Sequence, residues 1–149
     1  MGGTDGATRV ALLVDGDNLP ASQAGWLLSR AARMGRVVVR RSYVDSSHLA
    51  NWLGSDGFDL RVARQGRNAA DLLLAMDAVE LSLAGGVGAF ALGSSDGGFA
   101  ALALRLVERG HAVLGLGGPA SPRHWRRSCT TFLDFGPAAP VAPPVPGAA

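Results

Sequence analysis

Two short acidic clusters stand out by type and position in this chain of 149 residues. Asp15-Gly16-Asp17-Asn18 follows the apolar run 9–14, and Gly93-Ser94-Ser95-Asp96-Gly97 follows the apolar run 87–92. Either cluster alone is explained by a turn or a helix cap. Together they suggest other chemistry. Carboxylates brought close without a cationic partner repel, unless a cation sits between them. Such oxygen donors suit Mg²⁺ or Mn²⁺, which keep several waters and bind substrate phosphates. A third acid, Asp71, opens the apolar segment 68–83, where the helix dipole also favours it. Asp77 is six residues on, about 120° round a helix and ~9 Å further along it. Only Asp71 is expected to share a site with Asp15 and Asp96.

The basic residues narrow the chemistry from the other side. All 14 are arginine, against 12 acids, for a net charge of +2. A chain without lysine has no P-loop lysine, no Schiff-base lysine and no lysine general base. Asp15-Gly16-Asp17 has the Asp-x-Asp form of haloacid dehalogenase-type phosphatases, but those add Thr or Val and a lysine, and this chain has Asn18-Leu19 and none. Receiver domains fail for the same missing lysine. Gly115, Gly117 and Gly118 lack the full dinucleotide-loop spacing. His48, His111 and His124 have no metal-ligand spacing among them. The lone Cys129 reads as a small apolar residue, and Trp26 and Trp52 as core.

The elements that must position these residues alternate in type. Apolar runs predict strands over 9–14, 37–43, 58–63, 87–92 and 111–116, with a sixth at 132–135. Helical spacing falls at 20–34, 47–54, 68–83, 99–109 and 122–129. In 68–83 the expected core face is Ala69, Leu72, Leu73, Met76, Val79 and Leu83. Near-continuous apolar strands between helices mean an α/β fold, a mostly parallel sheet of five or six strands covered on both faces. Right-handed crossovers give an order near 3-2-1-4-5. The order reverses between strands one and four, so both acidic clusters meet at the crevice where such folds bind ligands. Residues 1–8 read as a loose leader, 9–135 as one domain, and the Pro- and Ala-rich 136–149 as an extended tail. With a single cysteine, no signal segment and no apolar run of membrane length, the expected setting is cytoplasmic.

The motifs Val14-Asp15-Gly16-Asp17-Asn18, Arg40-Arg41-Ser42-Tyr43, the segment 67–81 from Arg67-Asn68-Ala69-Ala70-Asp71, the segment 92–117 and the segment 120–135 together resemble the NYN domain. More narrowly, they resemble the limkain or LabA-like branch of the PIN-like nuclease superfamily. The resemblance spans about 9–135 and implies a PIN-like, Rossmannoid three-layer sandwich. It also implies a ribonuclease dependent on Mg²⁺ or Mn²⁺, with RNA as partner, no membrane, and scope for a homodimer or protein partner. Carried over by motif, Asp15, Asp71 and Asp96 are the catalytic, metal-holding acids. Asn18 and Ser94 sit beside them and, with Arg67 and Arg41, are the expected substrate-binding residues.

Arginines would carry the RNA backbone. Arg67 and Arg41 are the first candidates, with Arg40 and Arg64 near the same rim. Arg123, Arg126 and Arg127 beside Trp125 form a second cluster able to bind phosphate and stack a base. The chain departs from the family pattern at three places. Gly98 stands where Ser-Asp-Ser/Gly-Asp-Phe has its last acid, Arg67 replaces the usual lysine, and Thr130 stands where Cys-Asp-Lys-Phe has its acid. Asp17 and Asp134 are the acids available to compensate. The alternative reading is a catalytically weakened or inactive NYN module that binds RNA or a protein.

Overall fold

The computed structural model describes residues 7–55, 57–64 and 68–136. Its strands are β1 (Arg9–Asp15), β2 (Arg36–Asp45), β3 (Asp59–Ala63), β4 (Ala89–Gly93), β5 (Ala112–Gly117) and β6 (Thr131–Asp134). All pair in parallel in one sheet of order β3-β2-β1-β4-β5-β6. This is the expected order, with the sixth strand added at the β5 edge. Helices α1 (Ala24–Ala31) and α2 (Leu49–Trp52) cover one face, and α3 (Ala69–Ala84), α4 (Ala100–Glu108) and α5 (Arg123–Ser128) the other.

Strand alternation sorts the core into two halves and aims the acids. In β1, Val10, Leu12 and Val14 pack with Leu27 of α1 and Trp52 of α2. Ala11 and Leu13 pack with Leu74 of α3 and Leu106 of α4. Asp15 continues the Ala11–Leu13 side and so points toward α3. Gly16 falls on the other side, where a Cβ would lie 2.4 Å from Ser42 Oγ, 2.5 Å from Val44 Cγ1 and 3.0 Å from Trp52 Nε1. Only glycine fits there, and its carbonyl accepts from Trp52 Nε1 at 3.0 Å. The Asp-Gly-Asp-Asn turn is thus clamped from below by the expected core tryptophan. Trp26 is only partly buried and stands edge-on to Phe135.

Three expectations are corrected. The segment 20–34 is not one helix. It opens with a 3-10 turn at Ala21–Gln23 and its α-helix ends at Ala31, where Arg33 and Met34 bond back only three residues and tighten the last turn. Strand β2 runs on to Asp45, so Arg40 and Arg41 lie within it and not at its end. The third correction concerns α3. The residues it buries are Ala70, Leu74, Ala78 and Ser82, with Ala69 and Leu73 of the expected face partly buried against the same core, while Leu72, Met76 and Leu83 are 62%, 57% and 64% exposed. A helix apolar almost all round gives periodicity no single face to choose. The small Ala70 and Ala78 let its backbone approach the sheet, and that rotation wins.

Candidate metal centre

The crevice lies at the carboxyl ends of β1 and β4, where Val14 pairs with Gly93. Asp15 is 4% exposed and accepts a hydrogen bond from Ser94 Oγ to its Oδ2 at 3.1 Å. No arginine lies among its hydrogen-bond or ion-pair partners within the described residues. Burial, then the negative charges of Asp71, Asp17 and Asp96, push its carboxyl up from an ordinary 3.8 to about 7, against the lowering pull of Ser94. Asp71, in the first turn of α3, is raised by burial and by Asp96 and Asp17. The strand ends, the α3 start and the loop after β4 therefore bring four carboxylates within electrostatic reach of one another.

The loop carrying Ser94–Asp96 is fixed by hydrogen bonds from several sides. Ser95 N–H donates to Asn18 Oδ1 at 2.6 Å, and Asp96 N–H donates to Ser94 Oγ at 3.0 Å. Gly118 N–H donates to Ser95 Oγ at 2.8 Å, and Trp125 Nε1 donates to the Ser94 carbonyl at 2.7 Å. Asn18 thus acts on the loop and not in isolation. Asp96 is exposed, and its Oδ1 caps the following turn by accepting from Gly98 N–H at 3.0 Å. A groove of about 660 Å³ leads from Asp71 and Asp96 between α3 and α4, past Val79 and Leu102, to Arg105.

Other candidates are placed elsewhere. Arg41 Nη1 is 3.3 Å from Asp77 Oδ2, and Tyr43 donates its hydroxyl to the same oxygen at 2.6 Å. Asp77 is therefore committed away from the crevice, as the helical offset predicts, and Arg41 goes with it. Arg67 lies outside the described residues. Asp134 pairs with Arg126 at 3.1 Å on the far edge of the sheet. Trp125 is fully buried, so its ring is not available to stack a base as expected. Cys129 is half-buried, with its thiol pushed up to about 12 by burial.

Sequence reasoning missed two contacts. Asp17 Oδ1 accepts from Asp45 N–H and lies 2.8 Å from His48 Nδ1, which holds Asp17 over the end of β2. The His124 ring packs on Gly97, next to Asp96, so tightly that a Cβ there would lie 2.2 Å from Nε2. Neither histidine is spaced in sequence to signal this.

The donors at the crevice are hard oxygens around a buried carboxylate with no cationic partner among the described residues, and that chemistry fits Mg²⁺ or Mn²⁺. Among the described residues, no group of three or more His, Cys, Asp or Glu side chains is drawn together into a ready cage. An ion here would need water or substrate oxygens to complete its shell. This is the ordinary habit of Mg²⁺.

The NYN domain family profile matches residues 9–136. A solved structure of a protein of unknown function from Vibrio parahaemolyticus superposes with a TM-score of 0.70 at 21% identity, over 88% of this chain and 94% of that one. That likeness concerns the fold. No curated protein sequence matches the chain, and no helix among the described residues is long and apolar enough to cross a membrane.

Proposed function

The chain belongs to the NYN domain family, of the PIN-like nuclease type, and from that premise we propose that it is a Mg²⁺- or Mn²⁺-dependent ribonuclease. The observation that carries the reading is the convergence of Asp15, Asp71 and Asp96, with no cationic partner on Asp15 among the described residues, at the reversal of strand order. Asp15, Asp96 and Asp71 would hold the ion, Asp71 directly or through water. Bound there, a divalent ion polarises a phosphate oxygen and lowers the pKa of water.

The protein's own groups have distinct parts in this. Ser94 fixes the Asp15 carboxylate through its hydroxyl and receives the Asp96 N–H. Asn18 draws the Ser95 backbone toward the β1 turn, setting the distance between the two strand ends. Asp71, at the mouth of the groove, would orient the attacking water and accept its proton where it holds the ion through water and not directly. The groove between α3 and α4 receives the strand next to the scissile phosphate. Arg67, from its family position, contacts the backbone.

Labelled single-stranded RNA incubated with Mn²⁺, Mg²⁺ or EDTA, beside an Asp15→Asn variant, tests this. Metal-dependent cleavage lost in Asp15→Asn supports it, and an undiminished rate in the variant refutes it. A second reading, an NYN module that binds RNA with little or no turnover, is favoured by one feature. Gly98 brings no side-chain donor to a site where the described residues form no ready cage. Cleavage only after Gly98→Asp would favour that reading.

A further inference from the structure

The three arginines of α5 do not behave alike. Arg126 donates to the Ser121 and Pro119 carbonyls and to Asp134, and its guanidinium lies 5.0 Å from the centre of the Phe132 ring. It is a structural brace for β6. Arg123 and Arg127 are exposed, and neither has a side-chain partner among the described residues. One helical turn apart, they stand on the same face of α5, about 5–6 Å from each other.

With His124 they line a recess of about 570 Å³ whose remaining lining among the described residues is Ala100 and Leu104 of α4 and Ser128, with no acid. This recess is held against the acid loop. Trp125, buried on the opposite face of α5, donates to the Ser94 carbonyl, and His124 packs on Gly97, the residue after Asp96. A basic surface is therefore locked directly beside an acidic crevice, with only the Gly97 backbone between them. An RNA backbone approaching carboxylates needs positive charge at such a margin, and two guanidinium groups without protein partners supply it. Leu104, 51% exposed, offers an apolar seat for a ribose or base.

We infer that Arg123, His124 and Arg127 form a phosphate-binding track for single-stranded RNA as it leaves the acid cluster past Gly97. The inference rests on RNA being the ligand of that cluster, but not on whether the cluster cleaves it.

The test is binding of a fluorescent single-stranded RNA of about 12 nucleotides, measured by anisotropy in EDTA across a KCl series. Wild type is compared with Arg123→Gln/Arg127→Gln and with Arg33→Gln/Arg36→Gln. The second pair removes the same charge at the amino-terminal end of β2, at the other end of the strands from the acid loop, and none of the four guanidinium groups has a protein partner among the described residues. Each single-strand phosphate contact contributes ~0.7 to the salt slope, so losing two lowers it by ~1.4 and, counted from the ~1 M reference, weakens binding roughly 60-fold at about 50 mM salt.

That result, with the control pair at wild-type affinity, supports the track. Equal weakening by both pairs, an unchanged Arg123→Gln/Arg127→Gln variant, or no RNA binding by wild type overturns it. Cleavage with Mn²⁺ is scored separately on the same proteins. RNA bound through the track without cleavage sinks the nuclease reading alone, and cleavage by wild type with RNA binding unchanged in the double variant sinks the track alone.

Discussion

Asp15→Asn should stabilise the metal-free protein while removing its response to metal. The buried carboxyl is raised from 3.8 to about 7. At ~1.36 kcal/mol per tenfold in acidity, holding it ionised costs the folded chain about 4 kcal/mol. The sign follows from proton counts. Below about pH 4 the group is protonated in both folded and unfolded chains, and nothing is lost. Between about 4 and 7 the unfolded chain gives up the proton and the folded chain keeps it, so stability falls as pH rises. Above about 7 the whole cost remains. An asparagine of the same shape still accepts from Ser94 and relieves the repulsion on Asp71. In EDTA at about pH 8 its Tm should therefore exceed wild type by ~8–16 °C, taking ~2–4 °C per kcal/mol for a chain of this size. The excess should shrink toward zero near pH 4. Mn²⁺ should raise the wild-type Tm at pH 8 and leave the variant unmoved. A variant Tm equal to or below wild type in EDTA at pH 8, or an offset that does not change with pH, would refute this reasoning.

Three further substitutions probe separate parts of the molecule. Gly98→Asp meets nothing nearer than Asp96 at 3.6 Å, so the fold accepts it. It should tighten Mn²⁺ binding, read by titration calorimetry, by roughly the 10–100-fold typical of an outer-shell carboxylate. Tyr43→Phe removes the 2.6 Å hydrogen bond to Asp77 and should cost about 1.5–3 kcal/mol in urea unfolding, with RNA cleavage per folded molecule unchanged. Gly16→Ala forces a methyl against Ser42, Val44 and Trp52. It should lose about 1–3 kcal/mol by overpacking, and near-ultraviolet circular dichroism should report the displaced Trp52.

The sheet was legible because its signal is local. Apolar runs such as 9–14 and 111–116 end in glycine- and acid-rich turns, and right-handed crossovers leave few ways to order what results. Side-chain direction was less legible where both faces of an element are apolar. Leu72, Met76 and Leu83 are spaced like a core stripe, yet Ala70, Leu74 and Ala78 are the residues buried. What decides between them is how closely a backbone can approach the sheet, and a hydrophobic pattern records side-chain type and not that distance. The extent of β2 was hidden for a related reason. Asp45 ends it with a polar side chain that caps the next turn through Ser47 N–H, so the boundary reads as loop in sequence.

The site was legible as far as strand ends and helix turns could carry it, which explains which candidates come together and which do not. Asp15 and the Ser94–Asp96 loop follow neighbouring strands, and topology alone brings them together. Asp71 and Asp77 are separated by helical phase, and the structure commits them to different partners: Asp71 faces other carboxylates, while Asp77 takes Arg41 and Tyr43. That division bears on mechanism. Had Arg41 reached Asp15 instead, it would have neutralised the charge that a divalent cation is needed to balance. By occupying Arg41, Asp77 leaves the crevice anionic, so a residue excluded from the site by helix geometry still helps to set its electrostatics. Such an effect passes through a side chain on β2 and a partner 36 positions away, a coupling that no spacing rule in the acidic motifs contains.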